Sequence, residues 1–173
     1  MVWLRQNLPE DAFITTGAGN FSAWVHRFYR FRKFATHIGP CSGSMGYGVP
    51  SALGLKRAFP ERTVVCFSGD GSSMYSIQAL WTAANHKLPL TFIIVNNGGY
   101  RIIKQRLLAF HGDDNYIGMD FVDPPVDFAG MAKSLGLESM RITDPGELKS
   151  TLSSAFSRPG AKLIEVVVNN SVN

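Results

Sequence analysis

The chain has 173 residues, 45% of them hydrophobic and 17% charged, enough for one domain with a sizeable core and unlike a disordered or fibrous chain. Its net charge of +4 invites a nucleic-acid reading, but the basic residues gather in one stretch, 26–33, without a recognised binding motif, so no nucleic-acid partner is expected. No apolar run reaches the roughly 18–20 residues that span a bilayer, the start Met1-Val2-Trp3-Leu4-Arg5-Gln6 lacks the layout of a secretion signal, and Cys41 and Cys66 form neither a disulfide framework nor a metal-ligand spacing.

Taken in chain order, the pattern predicts a strand over 12–16. The basic stretch 26–33 follows, read as a helix end and a segment that packs its aromatics and leaves its charges in water. A helix is expected over 44–58, a strand over 63–68, a helix over 77–86 and a strand over 90–95. The two central strands are almost continuously apolar, as strands covered on both faces are. Residues 110–125 are irregular and suit a mobile or partner-contacting loop. A helix over 128–135, a strand over 139–142, a helix over 146–157 and a strand over 163–168 complete the chain. The helix at 146 has a start signal in Asp144-Pro145-Gly146-Glu147, with Asp144 as cap and Glu147 reaching back. Alternation of this kind implies βαβ units in an α/β three-layer sandwich, a mainly parallel sheet with helices on both faces. No internal repeat or low-complexity linker interrupts it, so residues 1–173 are expected to form a single domain.

In an open parallel sheet, ligands bind beyond the carboxyl ends of the strands. After the strand at 63–68 comes Gly69-Asp70-Gly71-Ser72-Ser73. Glycines let backbone approach a bulky anion, and a helix start favours phosphate. An aspartate there would repel phosphate unless a cation stands between them, which points to a divalent ion. After the strand at 90–95 comes Asn96-Asn97-Gly98-Gly99-Tyr100, whose neutral oxygens beside one carboxylate suit magnesium. Each loop alone is also a common turn.

Together, Gly-Asp-Gly and Asn-Asn about two dozen residues apart resemble the motif of thiamine-diphosphate-dependent enzymes. The segment 68–100 (SGDGSSMYSIQALWTAANHKLPLTFIIVNNGGY) is similar to benzoylformate decarboxylases, and Ile14-Thr15-Thr16-Gly17-Ala18-Gly19-Asn20 is similar to acetolactate synthases. The resemblance covers nearly the whole chain, as the C-terminal third of such an enzyme, and implies the thiamine-diphosphate-binding fold. It implies Asp70 and Asn97 as side-chain ligands of Mg2+ and Gly99 as a carbonyl ligand. Gly71 and Ser72 would contact the diphosphate, with Ala18, Gly19, Asn20 and Phe21 closing over it and Tyr100 beside them. Cys41-Ser42-Gly43-Ser44-Met45-Gly46-Tyr47-Gly48 matches the segment that bends the cofactor. Met45 would be the apolar wedge, though a plain core methionine also fits, and the Gly43 carbonyl would accept from the aminopyrimidine. Ile102, Ile103 and Arg106 would face the substrate channel. An arginine at 106 departs from the benzoylformate pattern; it suits either a substrate carboxylate or an ordinary helix surface.

The resemblance also implies something missing. Activation of the cofactor in this family takes a glutamate from a separate pyrimidine-binding domain. None of Glu10, Glu61, Glu138, Glu147 and Glu165 stands in that domain's context, nor are the acid–base histidines of benzoylformate decarboxylases present. The expectation is therefore a cytoplasmic part of a lyase or transferase, with no catalytic residue of its own and inactive in isolation. Pyrimidine-binding and central domains would lie outside this chain, whether it is a fragment or one subunit of a split enzyme. Its partners would be a pyrimidine-binding domain or subunit, a small 2-keto acid and further copies in a homo-oligomer, with no membrane. A decarboxylase is the first expectation and an acetolactate synthase-like carboligase the alternative. From other classes stand a Rossmann-type nucleotide module and a non-catalytic interaction domain. The first lacks support, because residues 17–22 miss the third glycine and no Gly-Lys-Ser/Thr loop exists.

Overall fold

A computed structural model describes residues 1–172. In chain order the elements are α1 (Val2–Asn7), β1 (Phe13–Thr16), α2 (Phe21–Phe28), β2 (His37–Ile38), α3 (Gly48–Ala58), β3 (Val64–Gly69), α4 (Asp70–Ser73), α5 (Ala79–Asn85), β4 (Thr91–Asn96), α6 (Arg101–His111), α7 (Phe128–Ser134), β5 (Glu138–Ile142), α8 (Leu148–Ser157) and β6 (Lys162–Val167). The strands form one six-stranded sheet in the order β2-β1-β3-β4-β6-β5, and every pairing is parallel.

Alternation along each strand sorts the core into two layers. Phe13, Val64, Cys66, Phe92, Ile94 and Leu163 pack under α3, α5 and α7, whose Val49, Ala52, Leu80, Ala83, Phe128 and Ala132 complete that cluster. Ile14, Val65, Phe67, Ile93 and Ile164 face the other way, under Leu4 of α1, Val25 of α2 and Leu152 and Ala155 of α8. Two covered faces explain why β3 and β4 read as unbroken apolar runs. The three-layer α/β sandwich is therefore present, with a wholly parallel sheet.

The strand order also locates a crevice. From β1 the chain crosses by α2, on one face, to the edge strand β2. From β3 it crosses by α5, on the opposite face, to β4 on the other side. β1 and β3 are neighbours whose onward connections diverge, and such a switch point opens a gap at the strands' carboxyl ends. Register keeps those ends level: Thr16 lies opposite Phe67, Gly69 opposite Val95 and Asn96 opposite Val167.

Departures from the expected elements have local causes. β2 is two residues of sheet edge, too short to leave a pattern. The helix expected from 44 begins at Gly48, because Gly43 and Gly46 take positive φ of 70° and 80° and hold 41–47 as a turn. At 145–147 a 3-10 turn precedes α8. Asp144 caps it, accepting from Gly146 N–H at 2.8 Å, whereas Glu147 makes no capping bond. The irregular stretch starts late, since α6 continues to His111 and ends on Gly112 at φ 64°. The basic stretch behaves as anticipated. α2 stops at Phe28, Tyr29 is buried, Phe31 packs beneath it with ring centroids 4.9 Å apart, and Arg32 pairs with Glu10 at 3.1 Å.

Two measurements check this packing. Burial in β3 pushes the Cys66 thiol up to about 12, while Cys41 is exposed. A chromogenic thiol reagent at about pH 8, where an ordinary thiol is partly ionised, should label one cysteine in the native chain and both in denaturant. Gly54 lies inside α3, and a Cβ at this position would meet no atom within 4 Å. Gly54→Ala should raise stability by about 0.5–1 kcal/mol in a denaturant titration.

Candidate functional site

One cleft opens at the switch point. Its walls are residues 18–21 from the β1 loop, Met45, residues 69–72 from the end of β3, Asn97, residues 99–102, and Trp24, Val95 and Val168. The two motifs separated in sequence therefore meet in space. Asp70 and Asn97 leave adjacent strands at one edge.

Asp70 organises the floor. It is 4% exposed, and among the described residues no cationic side chain forms a salt bridge with it. Its Oδ1 accepts from Gly71 N–H at 2.8 Å, and its Oδ2 from Asn97 N–H at 3.1 Å and Gly99 N–H at 3.0 Å. Burial pushes the carboxyl above the usual carboxylate range, and the amide bonds pull against that. A buried carboxylate compensated by amides alone keeps its charge uncancelled and favours a cation beside it.

The 96–99 loop wraps around that carboxylate. Asn96 Oδ1 accepts from Gly98 N–H at 2.9 Å, and Asn97 Oδ1 from Gly99 N–H at 3.1 Å. Three successive amides thus point inward, which requires the left-handed φ of 74° at Gly98. The covering segment 112–127 docks on the same loop. Phe121 N–H donates to the Gly98 carbonyl at 2.7 Å and Tyr100 N–H to the Met119 carbonyl at 2.9 Å. These bonds flank Gly99 and leave its own carbonyl out of the bridge. Phe121 meets the Tyr100 ring edge-on at 4.7 Å, and Lys104, buried in α6, pairs with Asp120. The stretch read as a mobile or partner-contacting loop is tied down here over 119–121.

The side of the cleft formed by residues 71–76 and the 41–47 turn is equally close-fitting. A Cβ on Gly71 would come within 2.6 Å of the Tyr100 ring, so only glycine fits between ring and cleft. Ser72 Oγ accepts from Gly46 N–H at 3.1 Å, and Ser76 Oγ donates to the Gly46 carbonyl at 2.7 Å. These bonds hold the 41–47 turn against the β3 loop and place Met45 in the cleft wall. The Ser72 hydroxyl keeps its own proton to donate. Asn20 Nδ2 donates to Gln105 Oε1 at 3.1 Å, joining the β1 loop to α6 across the opening.

Most expected site residues converge here: Ala18, Gly19, Asn20, Phe21, Met45, Asp70, Gly71, Ser72, Asn97, Gly99, Tyr100 and Ile102. Three do not. Gly43 lines the neighbouring cavity with His26, His37 and Cys41, which shares Ala18 with the cleft. Ile103 is 45% exposed on α6, and Arg106 lies on its surface with the guanidinium 6.0 Å from the Phe110 ring centroid. Trp24 and Arg101 line the cleft without having been anticipated. Trp24 stands one helical turn after Phe21, a spacing that would have shown it.

Comparison with known proteins agrees with this geometry. Residues 17–166 match the family model described as thiamine pyrophosphate enzyme, C-terminal TPP binding domain. The acetolactate synthase large subunit of Parasynechococcus marenigrum is 33% identical over 168 residues, covering 97% of this chain and 27% of that protein. The Rhodococcus jostii thiamine diphosphate-dependent 4-hydroxybenzoylformate decarboxylase superposes with a TM-score of 0.89 at 29% identity, covering 99% of this chain and 32% of the other. The benzoylformate decarboxylase of Polynucleobacter necessarius gives 0.85 at 26% identity, over 99% and 33%. The chain thus spans between a quarter and a third of the length of these relatives. It belongs to the thiamine pyrophosphate enzyme family, as a C-terminal TPP-binding domain.

Proposed function

We propose that this chain holds the magnesium–diphosphate end of thiamine diphosphate within a 2-keto-acid enzyme. One observation carries the reading: the buried Asp70 carboxylate, without a cationic partner among the described residues, beside the Asn97 side chain and the Gly99 backbone. One carboxylate with neutral oxygens is a hard-cation donor set, to which diphosphate oxygens and water would add. Among the described residues no cluster of three His, Cys, Asp or Glu offers the alternative of a softer metal.

In this reading the surrounding residues take the following roles. The Gly71 backbone and the Ser72 hydroxyl would contact the diphosphate, and Ala18, Gly19, Asn20 and Phe21 would close over it from β1. Tyr100 supports Gly71 from below. Met45 would supply an apolar wall to the cofactor, and Gly43, in the cavity across Ala18, would meet its aminopyrimidine end. Ile102 reaches the substrate side, with Ile103 and Arg106 further out on α6. When bound, the thiazolium ring supplies a carbon nucleophile and an electron sink for a keto acid.

The activating glutamate comes from another domain or subunit in this reading. Asp70 is the sole carboxylate lining the cleft among the described residues, and both Glu165 oxygens are engaged inside the sheet. Exposed aromatics support a covering partner: Phe34 is 101% exposed, and Trp24, Tyr75 and Trp81 are each more than half exposed. With Trp24 on α2 and Trp81 on α5, these aromatics stand on both faces of the sheet, and a pyrimidine-binding domain and further copies of the chain are the partners they suit. The setting is cytoplasmic, consistent with free cysteines at 41 and 66; among the described residues no helix is long and apolar enough to cross a membrane. The resemblance to solved decarboxylases favours decarboxylation of a 2-keto acid. The acetolactate synthase relative favours carboligation as a second reading, and both need the same anchor.

Calorimetry tests this reading. Thiamine diphosphate should bind only with Mg2+, and Asp70→Ala should weaken binding by about 100-fold or more. A nicotinamide cofactor binding in its place, or no effect of Asp70→Ala, overturns the assignment. The purified chain alone should release no carbon dioxide from benzoylformate or pyruvate; turnover by it would overturn the claim that the activating glutamate is supplied from outside.

A further inference from the structure

Beneath the cleft lies a carboxylate that the proposed chemistry does not use. Glu165, in the middle of β6, is 0% exposed and sits in register between Ile94 of β4 and Arg141 of β5. A charge so deep in a sheet is costly unless its oxygens are occupied. Oε2 accepts from Ala129 N–H, in the first turn of α7, at 3.1 Å. Oε1 accepts from Asn96 Nδ2 at 2.7 Å, and Arg141 Nε approaches it at 3.8 Å from a half-exposed side chain.

The bond to Asn96 reaches the cleft. A carboxylate only accepts, so the Asn96 amide must turn its NH2 toward Glu165 and its oxygen the other way. That oxygen takes the Gly98 N–H at 2.9 Å. With the amide reversed, oxygen would face carboxylate and NH2 would face N–H, and both bonds would become repulsions. Glu165 therefore dictates the polarity of Asn96, and Asn96 fixes the middle of the three inward-pointing amides. Asp70 holds the outer two, on Asn97 and Gly99. Glu165 itself does not line the cleft.

We propose that Glu165 is a positioning residue for the cation site: through Asn96 it sets the 96–99 loop so that the Asn97 side chain and Gly99 carbonyl are presented together. The inference rests on the magnesium–diphosphate reading and names what tunes that site. A tie between α7 and the sheet alone would need only the bond to Ala129.

The test is a double-mutant cycle on the full chain, Glu165→Gln, Asn96→Asp and both together. Glu165→Gln leaves one acceptor for two donors: with its oxygen kept on the Ala129 N–H, it puts an NH2 against the Asn96 NH2. The pair restores complementarity with donor and acceptor exchanged, while an oxygen still faces Gly98. Two readouts are followed, hydrogen exchange at the Gly98 amide without cofactor and Mg2+ affinity in the presence of thiamine diphosphate. Glu165→Gln should speed Gly98 exchange at least about tenfold and weaken Mg2+ about 10–100-fold, and the double variant should return both toward the parent. Unchanged Gly98 exchange in Glu165→Gln, or a folded double variant that stays weak for Mg2+, overturns the proposal. If Glu165→Gln does not fold, the double variant is expected to fold and bind, and its failure to bind counts equally against it. A parent chain that binds no cofactor would sink the functional reading instead, and the exchange readout would still decide the positioning role.

Discussion

A carboxylate 4% exposed, held by three backbone amides and, among the described residues, no cationic side chain, is the constraint from which this site is built. Such a group cannot be left unsatisfied, because each buried bond it lacks costs about 1–3 kcal/mol. Satisfying it with amides forces the chain at 97–99 to curl, and only glycine at 98 adopts the curl without strain. Each donor meets part of the negative charge without cancelling it. The loop is therefore shaped by Asp70 while the site stays anionic, the combination a bound cation requires.

The sheet makes that geometry possible. Parallel register sets Gly69 beside Val95, so the residues that follow each strand leave at one level. The switch between β1 and β3 opens the space above them, with α2 and α5 diverging to opposite faces. The remaining loops hang from this frame by one or two polar contacts each. Ser72 and Ser76 hold the Met45 turn through Gly46, and Asn20 reaches Gln105. The loop after β3 is fixed on the sheet, and the parts that would close over a ligand are held more lightly.

Legibility in the sequence followed the range of the interaction. β3 and β4 were readable because burial on both faces writes an unbroken apolar run into the chain. The convergence of Asp70 and Asn97 was readable because one helix and one strand separate them, a spacing that parallel topology converts into adjacency. β2 was not readable, since two residues at a sheet edge carry no period. Glu165 was one glutamate among five, although a charge inside the apolar run 163–168 was a signal. Its meaning depends on Asn96, 69 residues away in the chain, and no local pattern encodes such a pairing. The helix start at Gly48 was misplaced because Gly46 is held by side chains from the β3 loop, a tertiary contact.

The division between what this chain contains and what it leaves open has a physical logic. A diphosphate and its cation are best held by rigid groups, since fixed amides and a buried carboxylate need no reorganisation when charge arrives. Those groups all belong to strand ends and the loops clamped to them. The reactive end needs the opposite: a substrate must enter and a product leave, so its walls must separate or be shared between bodies. The cleft obeys this division. Its floor is sealed by Asp70, Tyr100 and the 119–121 segment, while Trp24, Tyr75 and Ile102 stand exposed at or near its rim. An anchor so firmly built on one side and so open on the other suits the proposed reading, in which a second body would complete the wall on the open side.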